Sequence, residues 1–209
     1  MKRYTHTEVS SGHMSVRWID AFLARGTCDR ILEELDVAFW KPSTVVRRRY
    51  DGLSTESSDS RRSDTAHEKW FSPQLKRDLR VIERRLVRLL GCDKARYEAW
   101  QATRYRRGDR FDYHYDAGYW SAEPSGDRER TVLIYLTTPC RGGGTQFREL
   151  NVDVEARAGR LLTWTNILPS GKRNLRSLHA GVPVASGTKT VIVSWIRQRD
   201  IPITDRRSL

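Results

Sequence analysis

Cysteine is scarce in this 209-residue chain. There are three, Cys28, Cys92 and Cys140, odd in number and far apart, which argues against a disulfide framework or a thiolate zinc cluster. Long apolar runs are missing too. No stretch approaches the roughly eighteen apolar residues of a membrane span, and no basic start followed by an apolar segment marks a leader peptide. The expectation is a soluble, intracellular, cytoplasmic protein without membrane contact. Acidic residues are in the minority, with 26 Asp and Glu against 38 Lys and Arg and a net charge of +12. That excess attracts nucleic acid, acidic peptides or anionic small molecules and is silent about fold. The clusters Arg47-Arg48-Arg49, Arg61-Arg62 and Arg84-Arg85 read first as solvated surface, so a nucleic-acid partner is compatible with the charge but not favoured by it.

What is present is enough for one packed domain. Residues 1–13 are polar and unpatterned and read as a loose end, leaving 14–209 as a single domain. "MSVRWIDAFL" (14–23) fits a first strand, and "CDRILEELDVAF" a short helix with Ile31, Leu32 and Leu35 on one side. The serine-rich segment 52–68 reads as a long loop suited to a lid. Leu75, Leu79, Ile82, Leu86 and Leu89 recur at spacings of three and four between Ser72-Pro73 and Gly91, which predicts an amphipathic helix with both of its ends marked. From Tyr97 onward, short β-branched and aromatic runs broken by Gly, Pro and Asp predict about eight strands. The fold class is mostly β with supporting helices, a double-stranded β-helix (jelly-roll) core.

The candidate chemistry lies among those strands. In "FDYHYD", His114 and Asp116 are two apart, so on a strand they project from one face with Tyr115 turned away. Of five histidines, His6, His13 and His67 lie in polar segments, and His179 is the other one in the strand region. Two imidazoles and one carboxylate can form the facial triad that holds Fe(II) with positions left open; two structural histidines bonded to backbone are the plain alternative. In "TKTVIVSWIRQ", alternation sets Lys189, Val191, Val193 and Trp195 on one face, and Thr190, Ile192, Ser194 and Ile196 on the other. Both faces are mostly apolar, so Lys189 points inward and needs an anion.

On these residues the sequence resembles the 2-oxoglutarate and Fe(II)-dependent dioxygenases, most closely the prolyl 4-hydroxylase group. The resemblance runs from about Trp18 to Arg197. Tyr105 stands nine residues before His114. "DRERTVLIYL" and "GGGTQF" match the next two family stretches, and His179 is followed ten residues later by Lys189 and sixteen later by Trp195. The resemblance implies iron ligation by His114, Asp116 and His179. It implies 2-oxoglutarate binding by Lys189, Tyr105 and Thr145, and substrate contact by Arg128 or Arg130 and by Trp195. It also implies ascorbate as reductant and a peptide or protein substrate, with proline converted to 4-hydroxyproline and succinate and carbon dioxide as coproducts. Two departures stand out: Gly144 replaces the Glu frequent before the threonine of "GG.T", and the covering segments 52–68 and 117–129 are rich in arginine and serine. Two alternatives stand beside this one. One is a nucleic-acid-directed oxygenase anchoring 2-oxoglutarate through an arginine such as Arg197, and the other is a basic binding protein that has lost turnover.

Overall fold

The computed structural model describes residues 6–50 and 52–202. Two antiparallel sheets face one another, and two helices cover the back of the larger. That sheet runs, edge to edge, through His6–Ser11, Met14–Ile19, Leu161–Thr165, Arg128–Tyr135, Lys189–Arg197, Gln101–Tyr105, Asp64–His67 and Lys41–Pro42. The smaller runs through Val152–Val154, Thr145–Phe147, His179–Gly181, Arg110–His114 and Arg61–Arg62. Among the described residues, no helix is long and apolar enough to cross a membrane.

The helix marked in the sequence is α2, Pro73–Leu90. The Ser72 hydroxyl accepts from the Leu75 N–H at 3.0 Å, and Gly91 closes the helix in the left-handed region at φ 65°, a conformation that favours glycine at that position. Helix α1, Arg25–Asp36, lies beside α2 and buries Cys28, Ile31 and Leu35. Together they cover Val132, Ile134, Ile192 and Ile196 of the large sheet in one apolar cluster. A second cluster lies between the sheets and contains Met14, Val16, Tyr135, Phe147, Leu162, Trp164 and Val191.

Two expectations need correction. The supposed loose end supplies an edge strand, because His6–Ser11 pairs with Met14–Ile19; residues 1–5, like 203–209, lie outside the described residues. Backbone pairing satisfies this strand although its side chains are polar and mostly exposed. Nor is 52–68 a long loop. It holds the second arm of a hairpin formed by Val45–Arg49 and Gly52–Glu56, and then the strands Arg61–Arg62 and Asp64–His67. Its hydroxyl residues can be buried because they satisfy one another: Ser63 Oγ donates to Ser43 Oγ at 2.7 Å, and Ser43 and Thr65 share a hydrogen bond of 2.6 Å.

Candidate active site

His114 ends its strand and His179 begins the next one, and the two are direct cross-strand partners. Their imidazoles therefore meet from 65 positions apart in sequence, with ring centroids 4.2 Å apart. Asp116 lies past the strand end rather than on it, so simple alternation does not account for its direction. Its carboxylate is turned inward and accepts from Thr131 Oγ1 at 2.6 Å, while Asn166 Nδ2 donates to Thr131 at 2.8 Å. His114 Nε2 is 3.7 Å from Asp116 Oδ1 and His179 Nε2 is 3.7 Å from Asp116 Oδ2. One ligand atom from each of the three lies within 4.8 Å of the others.

The surroundings select the form of each group. His114 Nδ1 is 2.8 Å from the Asp112 carbonyl and His179 Nδ1 is 2.9 Å from the Ser177 carbonyl. Each Nδ1–H is thereby engaged, which leaves the Nε2 lone pairs free toward Asp116. Burial, reinforced by His179, drives the His114 pKa down to about 3 and keeps this imidazole neutral. For Asp116 burial works the other way, but His179, His114 and Arg128 and the Thr131 hydrogen bond outweigh it and hold the carboxyl at about 2. Two imidazole nitrogen donors and one carboxylate suit Fe(II), and among the described residues no cysteine lines the site.

Behind this cluster is a small cavity of about 60 Å³, lined by Tyr105, Thr145 and Lys189 as well as by Thr131, Val191 and Trp195. Lys189, Val191, Val193 and Trp195 all face it, as the alternation of their strand predicts. The Lys189 ammonium is almost fully buried. Its one hydrogen bond within the described residues is long, 3.5 Å to the Gly144 carbonyl, and it lies over the rings of Tyr105 at 4.8 Å and Tyr135 at 5.6 Å. Burial alone lowers its pKa to about 7. An anionic group suits that end of the cavity. Thr145 shares a 2.6 Å hydrogen bond with Tyr135, a partner that the sequence did not single out. Gly144 has a packing reason: a Cβ there would lie 2.8 Å from the Val154 carbonyl oxygen.

On the other side of the cluster the cavity meets an open cleft of about 520 Å³, and His114, Asp116, Arg61, Phe111 and Trp195 line both. Arg128 lines this cleft too. Its guanidinium donates to both Glu98 carboxylate oxygens, at 2.8 and 2.7 Å, and lies between the rings of Trp195 at 3.6 Å and Trp120 at 3.9 Å. Arg130 is not among the cleft residues. Pairing with the last strand slips between Arg128 and Arg130, and an extra residue in a strand reverses which face the following side chains take. Arg130 is thus sent toward Tyr97 and Cys92, and Thr131 toward Asp116. Arg197 is engaged by Glu98 at 3.0 Å and by Glu123.

Arg61, which the sequence offered only as part of a charged run, reaches both spaces and lies over Phe111 at 4.7 Å. Its arrival depends on a cross-strand pair with Phe111 that no local pattern announces. Glu98, Thr131 and Asn166 likewise act through partners distant in sequence.

Comparison with known proteins agrees with this geometry. A model of the 2OG-Fe(II) oxygenase superfamily matches residues 100–197. The chain is 28% identical over 202 residues to prolyl 4-hydroxylase 13 of Arabidopsis thaliana, covering 88% of this chain and 71% of that protein. It is 29% identical over 175 residues to prolyl 4-hydroxylase subunit alpha-2 of Caenorhabditis elegans, covering 81% of this chain but only 32% of that larger subunit. Among solved structures, the viral collagen prolyl hydroxylase of Paramecium bursaria Chlorella virus-1, crystallised as a 2OG complex, superposes with a TM-score of 0.66 at 26% identity. That match covers 87% of this chain and 95% of the viral one.

Proposed function

We propose that the chain is a member of the 2OG-Fe(II) oxygenase superfamily, and on that premise a 2-oxoglutarate-dependent dioxygenase that hydroxylates a peptidyl proline to 4-hydroxyproline. Succinate and carbon dioxide are the coproducts, and ascorbate serves as the reductant. The observation that carries this reading is one continuous arrangement. Two Nε2 atoms and a carboxylate lie at the junction of a small cavity that ends on a buried ammonium and a larger, aromatic-lined cleft.

His114, Asp116 and His179 would hold Fe(II), and Lys189 would pair with the distal carboxylate of 2-oxoglutarate with Tyr105 and Thr145 beside it. Bound iron and 2-oxoglutarate together supply the oxygen activation that converts a C–H bond to C–OH. The protein's own part is positional. Thr131 and Asn166 fix the direction of the Asp116 carboxylate, and the Asp112 and Ser177 carbonyls fix the two imidazoles. Val191, Val193, Leu133 and Trp164 give the inner cavity apolar walls. In the cleft, Arg128 and Trp195 are assigned to the peptide, since Glu98 and two indole rings hold that guanidinium at the lining. The anchoring arginine of the nucleic-acid reading finds no support, because Arg197 is already engaged by two glutamates.

The test is to supply the protein with Fe(II), 2-oxoglutarate and ascorbate, offer proline-containing peptides, and follow succinate together with peptide mass. The expected result is a gain of one oxygen on proline, matched by succinate. No succinate with any peptide, while iron is bound, overturns the reading.

A further inference from the structure

The cleft beside the metal site carries positive charge that the fold does not neutralise. Lys41, Arg47 and Arg61 line it, as do Tyr113 and Tyr115. Arg148 lies over the ring of Tyr113 at 5.6 Å and Arg173 over the ring of Tyr115 at 4.3 Å. Arg47 has a carboxylate partner, Glu56 at 3.1 Å. Lys41, Arg148 and Arg173 are held over aromatic rings instead, Lys41 over Phe39 at 5.1 Å. Arg61 spends its hydrogen bonds on the Thr44 carbonyl and the Thr65 and Tyr105 hydroxyls, and the Asp116 carboxylate attracts it from a distance. None of these four forms an ion pair among the described residues. A ring orients a cation without cancelling its charge, so the positive ends remain available to an outside anion.

The carboxylates of the cleft do not offset this. Asp112 is paired with Arg110 at 2.8 Å, and Asp116 belongs to the metal cluster. One wall of the cleft is the hairpin, through Val45, Val46 and Thr55. Arg48 joins that hairpin to the far wall by donating to the Tyr119 carbonyl at 2.7 Å. An occupant is therefore offered apolar side chains, aromatic rings and cations together. An extended peptide has matching groups for all three; a phosphodiester backbone has no aliphatic side chains to set against Val45 and Val46.

We propose that the substrate is an acidic peptide segment, with Asp or Glu flanking the proline, drawn into the cleft by Lys41, Arg61, Arg148 and Arg173. This rests on the hydroxylase reading. The neutral, collagen-like type of sequence makes no use of that charge. Like-signed charges around a cleft focus the field and raise the local concentration of an oppositely charged substrate. The effect falls as the screening length shortens with salt.

The experiment compares three peptides of one length around one proline, flanked by Asp and Glu, by Asn and Gln, or by Lys. Each is assayed with the full chain for succinate and peptide mass at low and at high salt. At low salt the acidic peptide is expected to show a KM at least about tenfold below that of its amide counterpart, with kcat alike. Salt should narrow the gap, and the Lys peptide should be the poorest. The triple variant Lys41→Gln, Arg148→Gln, Arg173→Gln should lose most of the discrimination. The salt series on the unmodified protein tests the same point if that variant does not fold. Equal KM values for acidic and amide peptides at low salt overturn the proposal while leaving the hydroxylase reading intact. Failure of all three peptides to yield succinate removes the hydroxylase reading itself. A single-stranded oligonucleotide that gains an oxygen where the acidic peptide does not would assign the charge to nucleic acid and also overturn it.

Discussion

The two faces of the large sheet are built from the same strands yet are held together by different means. On the helix side, Ile192 and Ile196 of the last strand meet Val132 and Ile134 of its neighbour and the leucines of α2, with hardly any exposed surface. On the cavity side, Lys189 and Val191 of that same strand face Thr131, Thr145 and the two histidines. The first face is stabilised by apolar burial and close packing, which depend on volume. The second depends on partners: Asp116 has Thr131, Thr131 has Asn166, and Thr145 has Tyr135. Lys189 stands out because its one hydrogen bond among the described residues is a 3.5 Å contact with a carbonyl, and otherwise it lies over two tyrosine rings. A site is made where the partner is left to a ligand.

This contrast can be broken most severely at the cluster of His114, Asp116 and His179. His179→Ala should abolish iron binding and lower turnover by about a thousandfold or more, since residues that act as a unit lose nearly everything together. Metal content and succinate formation report the two losses, and retention of stoichiometric iron would sink the ligand assignment. Next in size is the anion end. Lys189→Ala should raise the 2-oxoglutarate requirement by roughly a hundredfold to a thousandfold, the cost of leaving one member of a buried charge pair alone.

The same lysine has a pH signature. Burial lowers its pKa from 10.5 to about 7 in the free protein. Its contribution to stability is thus fully present above pH 10.5 and is lost as pH falls toward 7. A bound carboxylate demands the charged form, so binding takes up a proton above pH 7 and weakens by up to about tenfold per pH unit. Calorimetry across that range should show this slope in the parent protein and a flat response in Lys189→Ala.

On the apolar face the expected outcome has another currency. Ile192→Ala should cost about 2–5 kcal/mol of stability in denaturant titration while leaving the 2-oxoglutarate KM within about twofold, because its side chain belongs to the helix-side cluster. A large KM change would mean the two faces are coupled. Thr131→Val sharpens the opposite side with the smallest effect. Iron affinity should fall by about 10-fold to 100-fold, as for other outer-sphere partners of metal ligands, and the melting midpoint by a few degrees, since the buried Asn166 amide loses its acceptor.

Much of the framework could be read along the chain because its causes are local. Helix α2 carries its cap, its apolar spacing and its terminal glycine in one consecutive run from Ser72 to Gly91. The last strand shows its two faces by alternation, and Lys189 stands out against apolar neighbours on both. The region from Lys41 to His67 was illegible for the opposite reason. Its strands are polar, and their stability comes from backbone pairing and from hydroxyls that meet across the chain, as Ser43, Ser63 and Thr65 do.

What the sequence alone determined was the inventory and its spacing: His114, Asp116, His179 and Lys189 in an order that resembles one family, on a chain made for strands. Tertiary structure decided which of those groups face one another. It brought His179 opposite His114 by strand pairing and turned Asp116 inward through Thr131. A slip in pairing separated Arg128 from Arg130, and pairing with Phe111 brought Arg61 to the cleft. The physical reason is that side-chain periodicity is a property of neighbouring residues, whereas register, bulges and hydrogen-bond partners are settled by segments far apart in sequence.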